Sequence, residues 1–286
     1  MAADLQDRVV VVTGAGRGMG RAYARAFLDA GAKVVALNRS WEPARFTDPE
    51  DEAYLNQVSA RDDVLMATAD ITDDAQVQRA YEHTMDRFGT ADVVVNNAGM
   101  RQRDLYPPQG RITTLETTDS DFERMFVANV LGTLKVTRRF IQPMIAKGRG
   151  SVIGIVSTGV FLSSGGGSYT ALRPNSREQP YMASKAAVTN LLFYLADEVR
   201  EHNVAVNVVA PGWTRTTGFP ARAARPAAGG GGGGGQRPLT PEHIVPLVLF
   251  LARQDAQSGI TGKLFDAVVW NEEHGFGGRE AWTVPD

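Results

Sequence analysis

A run of valines, Val9 to Val12, ends at Thr13 and passes directly into Gly14-Ala15-Gly16-Arg17-Gly18-Met19-Gly20. From Arg21 to Ala30 the composition is helical, and the pattern stops at Gly31. A buried strand that enters a helix through glycines restricts the fold more than any other feature of the chain. Glycines permit the tight turn and let backbone N–H groups approach a pyrophosphate, and the helix N-terminus adds partial positive charge. The strict G-x-G-x-x-G pattern fails, because its last position falls on Met19; what stands is T-G-x-x-x-G-x-G.

The same alternation continues along the chain. Short apolar runs predict strands at 33–37, 64–68, 93–95, 152–156, 204–209 and 263–269. Helical patterns lie between them at 73–88, 119–146 (bent near Pro143), 181–201 and 241–252, and the long segment 41–63 has room for a short helix. Alternating strands and helices imply a doubly wound α/β fold with about seven parallel strands, covered by helices on both faces. No linker divides the chain, so residues 1–286 are expected to form one domain. The run Gly229 to Gly235 reads as a mobile loop tip, since glycines bury no side chains and lose much entropy on ordering.

Composition removes several classes. The chain is 43% hydrophobic and 22% charged, as in globular proteins, with a formal net charge of -2. No basic excess favours nucleic acid or a membrane surface. No run approaches the roughly 18 apolar residues of a spanning helix, and no signal peptide is expected. With no cysteine, disulfides and thiolate metal sites are unavailable, which agrees with a cytoplasmic protein. No metal site is expected.

Six further motifs follow the glycine turn in order. Asp70 follows the third strand, and Asn96-Asn97-Ala98-Gly99 follows the fourth. Asn129-Val130-Leu131-Gly132-Thr133 lies in the long helix, and Ser157 ends the fifth strand. Tyr181-Met182-Ala183-Ser184-Lys185 opens the next helix, and Pro211-Gly212 follows the sixth strand. With these motifs the chain resembles the short-chain dehydrogenase/reductase family over nearly its whole length. The resemblance implies an NAD(P)-dependent oxidoreductase that moves a hydride between its cofactor and a ketone or secondary alcohol.

The resemblance implies catalytic roles for Asn129, Ser157, Tyr181 and Lys185. Tyr181 is the acid in ketone reduction and the base in alcohol oxidation, and Ser157 hydrogen-bonds the substrate oxygen. Lys185 holds the nicotinamide ribose and favours the phenolate, and Asn129 supports a water chain to Lys185. The spacing fits: four residues apart at a helix start, Tyr181 and Lys185 share one face. Lowering a tyrosine pKa from about 10 to about 7 needs roughly 4 kcal/mol, at about 1.36 kcal/mol per unit. One departure stands out. Ser157 and Tyr181 are 24 positions apart, about twice the separation more common in the family, so Phe161 to Pro180 reads as an inserted loop.

The resemblance places the cofactor on Gly14, Gly16, Arg17, Gly18, Met19 and Gly20 at the phosphates. Asp70 and Ile71 would flank the adenine, and Asn97, Ala98 and Gly99 the adjacent ribose. Tyr181, Lys185, Pro211, Gly212, Thr214 and Thr216 complete the set. At the end of the second strand, Asn38 is neutral where an acidic residue would bind the ribose hydroxyls of NAD. Arg39 and Arg17 offer charge to a 2′-phosphate. The expected cofactor is therefore NADP, with NAD second.

The substrate loops lie near 100–118, 161–180 and 213–240. Phe161, Tyr169, Trp213 and Phe219 could wall a bulky substrate, and Arg101, Arg103 and Arg111 could meet an acidic group; ordinary packing and solvated charge are the alternatives. The apolar stretch Leu191 to Leu195 suggests burial between subunits, hence a homo-oligomer, a tetramer or a dimer. Two other readings stay open: a non-catalytic NADP-binding regulator, and a nucleotide-sugar epimerase or dehydratase-like enzyme.

Overall fold

Successive side chains of a strand point to opposite faces, so an uninterrupted valine run demands cover on both sides. β1 (Val9–Thr13) meets that demand, with every residue buried. In the computed structural model, which describes residues 5–46, 48–107, 110, 112–161, 177–215 and 237–285, β1 lies inside a seven-stranded sheet. The other strands are β2 (Lys33–Asn38), β3 (Val64–Thr68), β4 (Val93–Asn96), β5 (Gly150–Ile155), β6 (Val204–Ala210) and β7 (Leu264–Asp266). Their order is β3-β2-β1-β4-β5-β6-β7, and every pairing is parallel.

Helices cover both faces. Val10 and Val12 pack in one core with Tyr23 and Phe27 of α1 (Gly18–Asp29), Leu247 and Leu251 of α9 (Val245–Leu251) and Trp270 of α10 (Ala267–Glu273). Val9 and Val11 pack in the other, with Val77 of α3 (Asp74–Phe88) and Val136 and Phe140 of α6 (Gly132–Phe140). Met144 of α7 (Gln142–Lys147) and Val188 and Leu192 of α8 (Tyr181–Glu198) complete that layer. The strand order reverses between β1 and β4, and in such sheets ligands bind in the crevice beyond the carboxyl ends of the strands at that point.

Several elements differ from the sequence reading. The stretch 119–146 is not one bent helix. α5 (Asp119–Phe126) passes into a π-helical turn, Val127–Leu131, then into α6, and the chain breaks again at Ile141 before Pro143. The last strand does not run to Val269: it stops at Asp266, whose carboxylate accepts from Val268 N at 2.9 Å and Val269 N at 3.3 Å and so caps α10. α8 ends at Glu198 rather than Glu201, and a 3-10 turn, Arg200–His202, follows. Pro246 sits in the first turn of α9, where its missing N–H costs nothing, and residues 241–244 form a 3-10 turn. Segment 41–63 holds α2 (Pro49–Ser59), capped by the Asp48 carboxylate on Glu50 N at 3.0 Å.

Candidate active site

The first wall is the glycine turn. Gly14 and Gly18 take left-handed backbone, with φ of 66° and 54°. A Cβ on Gly14 would lie 3.1 Å from Asn97 Nδ2, and one on Gly20 would run into the Gly14 carbonyl. The turn is braced from β4: Asn97 Nδ2 donates to Thr13 O at 2.9 Å and Gly14 O at 3.4 Å. Thr13 Oγ1 accepts from Asn97 N and Ala98 N, both at 2.9 Å, and donates to Val95 O. No side chain of its own cap closes the start of α1, which begins at Gly18, so Met19 and Gly20 belong to its first turn.

Around this turn, Arg17 and Arg39 are exposed and form no ion pair among the described residues. Although Arg17 reaches solvent, the part of it packed against the turn is desolvated, which lowers its pKa, with Arg101 and Arg39 acting in the same direction against Asp104 and Asp51. Asn38 turns its amide to Ser40 O at 2.7 Å. Asp70 accepts from Thr72 N at 2.9 Å and Thr72 Oγ1 at 2.7 Å, and Ile71 is buried against Gly132.

The second wall is built at the ends of β4 and β5. Asn129, on the π turn, is buried, and its carboxamide is fully engaged. Oδ1 accepts from Met100 N at 2.6 Å, while Nδ2 donates to Met100 O at 3.0 Å and Ser184 Oγ at 2.9 Å. Ser184 Oγ in turn donates to Tyr181 O at 2.7 Å. Lys185 Nζ donates to Ile155 O at 2.9 Å and lies 5.8 Å from the Tyr181 ring centroid. A Cβ on Gly99 would sit 2.7 Å from Asn129 Oδ1 and 3.6 Å from Lys185 Nζ, so a glycine is needed where three elements converge. Ser157 follows β5 and is half-buried; two residues on, Gly159 packs against Met182, the neighbour of Tyr181. The turn that carries Ser157 thus packs against the start of the helix that carries Tyr181.

Gly212, with φ of 77°, follows Pro211 after β6, and Thr214 is buried with its hydroxyl 3.5 Å from Pro211 O and Gly212 O. Phe161 lines a cavity of about 570 Å³ beside β7 with Phe250, Leu264, Phe265, Val269 and Trp270. Thr216, Arg111, Tyr169, Phe219 and the run Gly229 to Gly235 lie outside the described residues.

Residues 8–226 match the model of the short chain dehydrogenases. This chain belongs to the short-chain dehydrogenase family. It is 46% identical over 279 residues to a fluoren-9-ol dehydrogenase of Terrabacter sp. (strain DBF63), covering 98% of this chain and 76% of that protein. It is 32% identical to a short-chain type dehydrogenase/reductase of Picea abies, over 88% of each chain. A galactitol 2-dehydrogenase of Rhizobium johnstonii is 31% identical, over 95% of this chain and 96% of its own. The protein is accordingly a dehydrogenase/reductase of the NAD(P) type that acts on CH–OH groups.

Electrostatics divide the dehydrogenase's tyrosine and lysine. Although Tyr181 keeps some exposure, desolvation pushes its phenol well above the ordinary range; the Glu178 and Asp104 carboxylates add to this and Arg101 opposes it. Burial lowers Lys185 to about 8. Arg103 falls to about 10 through burial, with Arg101 and Arg17 adding to the effect against Asp104. Arg101 itself pairs with Asp104 at 2.8 Å.

Three groups near the site escaped the sequence reading. Arg21, buried in α1, pairs with Asp51 at 2.7 Å and Glu50 at 2.6 Å, tying α2 to the glycine turn. His243 is buried with Nε2 at 2.5 Å from Pro211 O and Nδ1 at 2.6 Å from Thr240 O. Gln102 is buried between α4 (Gln102–Leu105) and the start of α8. None belongs to a local motif; each pairs with residues distant in sequence.

Proposed function

We propose that this dehydrogenase interconverts a bulky, apolar secondary alcohol and its ketone with NADP(H), using Tyr181 as the general acid/base. The observation that carries the reading is the convergence of Tyr181, Lys185, Asn129 and Gly99 beyond β4 and β5, beside the glycine turn. The substrate class follows the fluoren-9-ol dehydrogenase relative.

The glycine turn fits a dinucleotide. A Cβ at Gly14 or Gly20 would press on Asn97 or on the Gly14 carbonyl, so only glycines allow this tight turn, and Arg17 and Arg39, without an ion pair among the described residues, stand at its rim, where a 2′-phosphate would find charge-assisted donors. Asp70, Ile71, Asn97 and Ala98 would border the adenosine half, with Pro211, Gly212 and Thr214 at the nicotinamide half; Thr216, assigned from the sequence to the phosphates, lies outside the described residues. When bound, the nicotinamide accepts or supplies the hydride.

In oxidation, Tyr181 takes the hydroxyl proton as the carbinol carbon loses its hydride; in reduction it returns that proton to the oxygen. Ser157 donates to the same oxygen and fixes its position. Lys185 is mostly an ammonium below pH 8 and, 5.8 Å from the Tyr181 ring centroid, would favour the phenolate. Asn129 holds Met100 and Ser184, and through Ser184 the backbone of Tyr181.

A homo-oligomer fits the surface: Tyr194 on α8 is 69% exposed, and Val127 and Leu131 of the π turn are also exposed. Light scattering after size exclusion tests it.

The deciding experiment is fluorescence titration with NADPH and NADH, then absorbance at 340 nm with fluoren-9-ol, fluorenone and a sugar alcohol. Tighter NADPH binding with turnover of the ring compounds supports every part of the reading. Turnover of the sugar alcohol alone overturns the substrate class, and failure to bind either nucleotide overturns the whole.

A further inference from the structure

The helix that carries Tyr181 starts without a cap of its own. Its cap position is Pro180, which has no hydrogen-bonding side chain, yet the first N–H groups of a helix need acceptors. The acceptor for Tyr181 comes from far away in sequence: Gln102 Oε1 receives the Tyr181 N–H at 3.1 Å. The other end of the same carboxamide donates from Nε2 to Gln179 O at 2.5 Å. One buried side chain, 6% exposed, therefore grips the backbone on both sides of Pro180. Gln179 completes the turn by accepting from Ala183 N at 3.1 Å through its own side chain.

Gln102 is itself held. It lies in the four-residue α4, two residues after Met100, and Asn129 binds both the N–H and the carbonyl of Met100. Asn129 also reaches Tyr181 O through Ser184 Oγ. Two routes thus run from Asn129 to the Tyr181 backbone: Ser184 to its carbonyl, and Met100 with Gln102 to its N–H. We infer that Gln102 is a positioning residue for Tyr181, fixing the first turn of α8 so that the phenol points to the reacting oxygen. This rests on the proposed role of Tyr181.

The side chain must donate and accept at once, which a carboxamide does and a carboxylate does not. Glutamate would keep the contact to Tyr181 N, lose that to Gln179 O, and place negative charge at the Tyr181 backbone, on the residue whose phenol is proposed to titrate. Leucine, of similar size, would lose both contacts and add no charge.

The test compares wild type, Gln102→Leu and Gln102→Glu by amide hydrogen exchange over residues 179–185 and by kinetics with NADP and fluoren-9-ol. Gln102→Leu should exchange faster in the first turn of α8 but not in its second half. Its kcat should fall on the order of 10–100-fold, as a displacement of about 1 Å costs a reacting group. NADPH affinity by fluorescence should stay within about twofold. Gln102→Glu should retain more rate, and the acid limb of its oxidation pH profile, where Tyr181 must lose its proton, should move up by roughly one unit. Unchanged exchange in the first turn of α8 overturns the inference with or without turnover, as does wild-type kcat in Gln102→Leu. Equal losses of kcat and NADPH binding with an unmoved pH profile in Gln102→Glu also overturn it, leaving a purely structural role. Full activity in Tyr181→Phe would instead overturn the proposed function, so the two failures are separable.

Discussion

Lys185 Nζ donates to the backbone oxygen of Ile155 at 2.9 Å, so the ammonium is held by β5 and not by Tyr181. Only 7% of this lysine is exposed, and burial alone brings it to about 8 from 10.5. A charged group kept where its charge is disfavoured carries a stability cost, which the proposed role of Lys185 would account for.

That cost is measurable. At pH 7 the shift corresponds to about 3 kcal/mol, at about 1.36 kcal/mol per unit. Lys185→Met should therefore unfold at higher temperature than wild type at pH 7 while losing catalysis. Between pH 8 and about 10.5 the unfolded lysine still binds its proton and the folded one has released it, so wild-type stability rises relative to the variant. Thermal melts of both proteins from pH 7 to 10.5 should converge. A gap that widens with pH would contradict the assignment.

Tyr181→Phe should lower kcat by several powers of ten and leave nucleotide binding nearly intact, since only the phenolic oxygen is lost. Parallel fluorescence titration and 340 nm kinetics separate the two effects.

Arg39→Ala should weaken NADPH binding by about tenfold or more, the scale of one charge-assisted contact, and leave NADH within about twofold. Arg17→Ala should likewise weaken NADPH more than NADH, since its charge is proposed to reach the same 2′-phosphate. Equal effects of Arg39→Ala on NADPH and NADH would argue for NAD.

His243 provides an acid-sensitive element. Burial holds its pKa below 6.5; the carbonyls of Thr240 and Pro211 and the charge of Asp266 oppose that, while Arg279 reinforces it. Once pH drops below about 6.5 the unfolded chain takes up a proton that the folded ring resists, so stability falls toward acid. His243→Gln should melt with a shallower pH dependence between 7.5 and 5.5. An identical slope would assign the acid sensitivity elsewhere.

The parallel sheet was legible because buried parallel strands carry nearly continuous β-branched runs, as Val9 to Val12 and Val93 to Val95 do. The glycine turn was legible because local backbone geometry dictates its spacing, whereas Tyr181 and Lys185 were singled out by the family resemblance; the structure sets them on one helix with Lys185 Nζ 5.8 Å from the Tyr181 ring centroid. The same logic misread Val268 and Val269: a short β-branched run at a strand end looks like more strand, and only the Asp266 cap converts it to helix. The π turn at Asn129 had no sequence signature, since one extra residue in a helix leaves the composition unchanged. Arg21 with Asp51, and Gln102 with Tyr181, are 30 and 79 positions apart, and no single-chain pattern couples such pairs.

The early stop of β7 has a further consequence. A long strand at the rim of a sheet exposes a row of free amides and carbonyls, on which another chain can build. With Asp266 turning the backbone into α10 after three residues, the rim at β7 offers only a short template. If copies of the chain associate on this flank, side chains such as Val269 and Phe276, which are half exposed there, would supply the contact, and a polar residue in place of either should loosen it without touching the sheet.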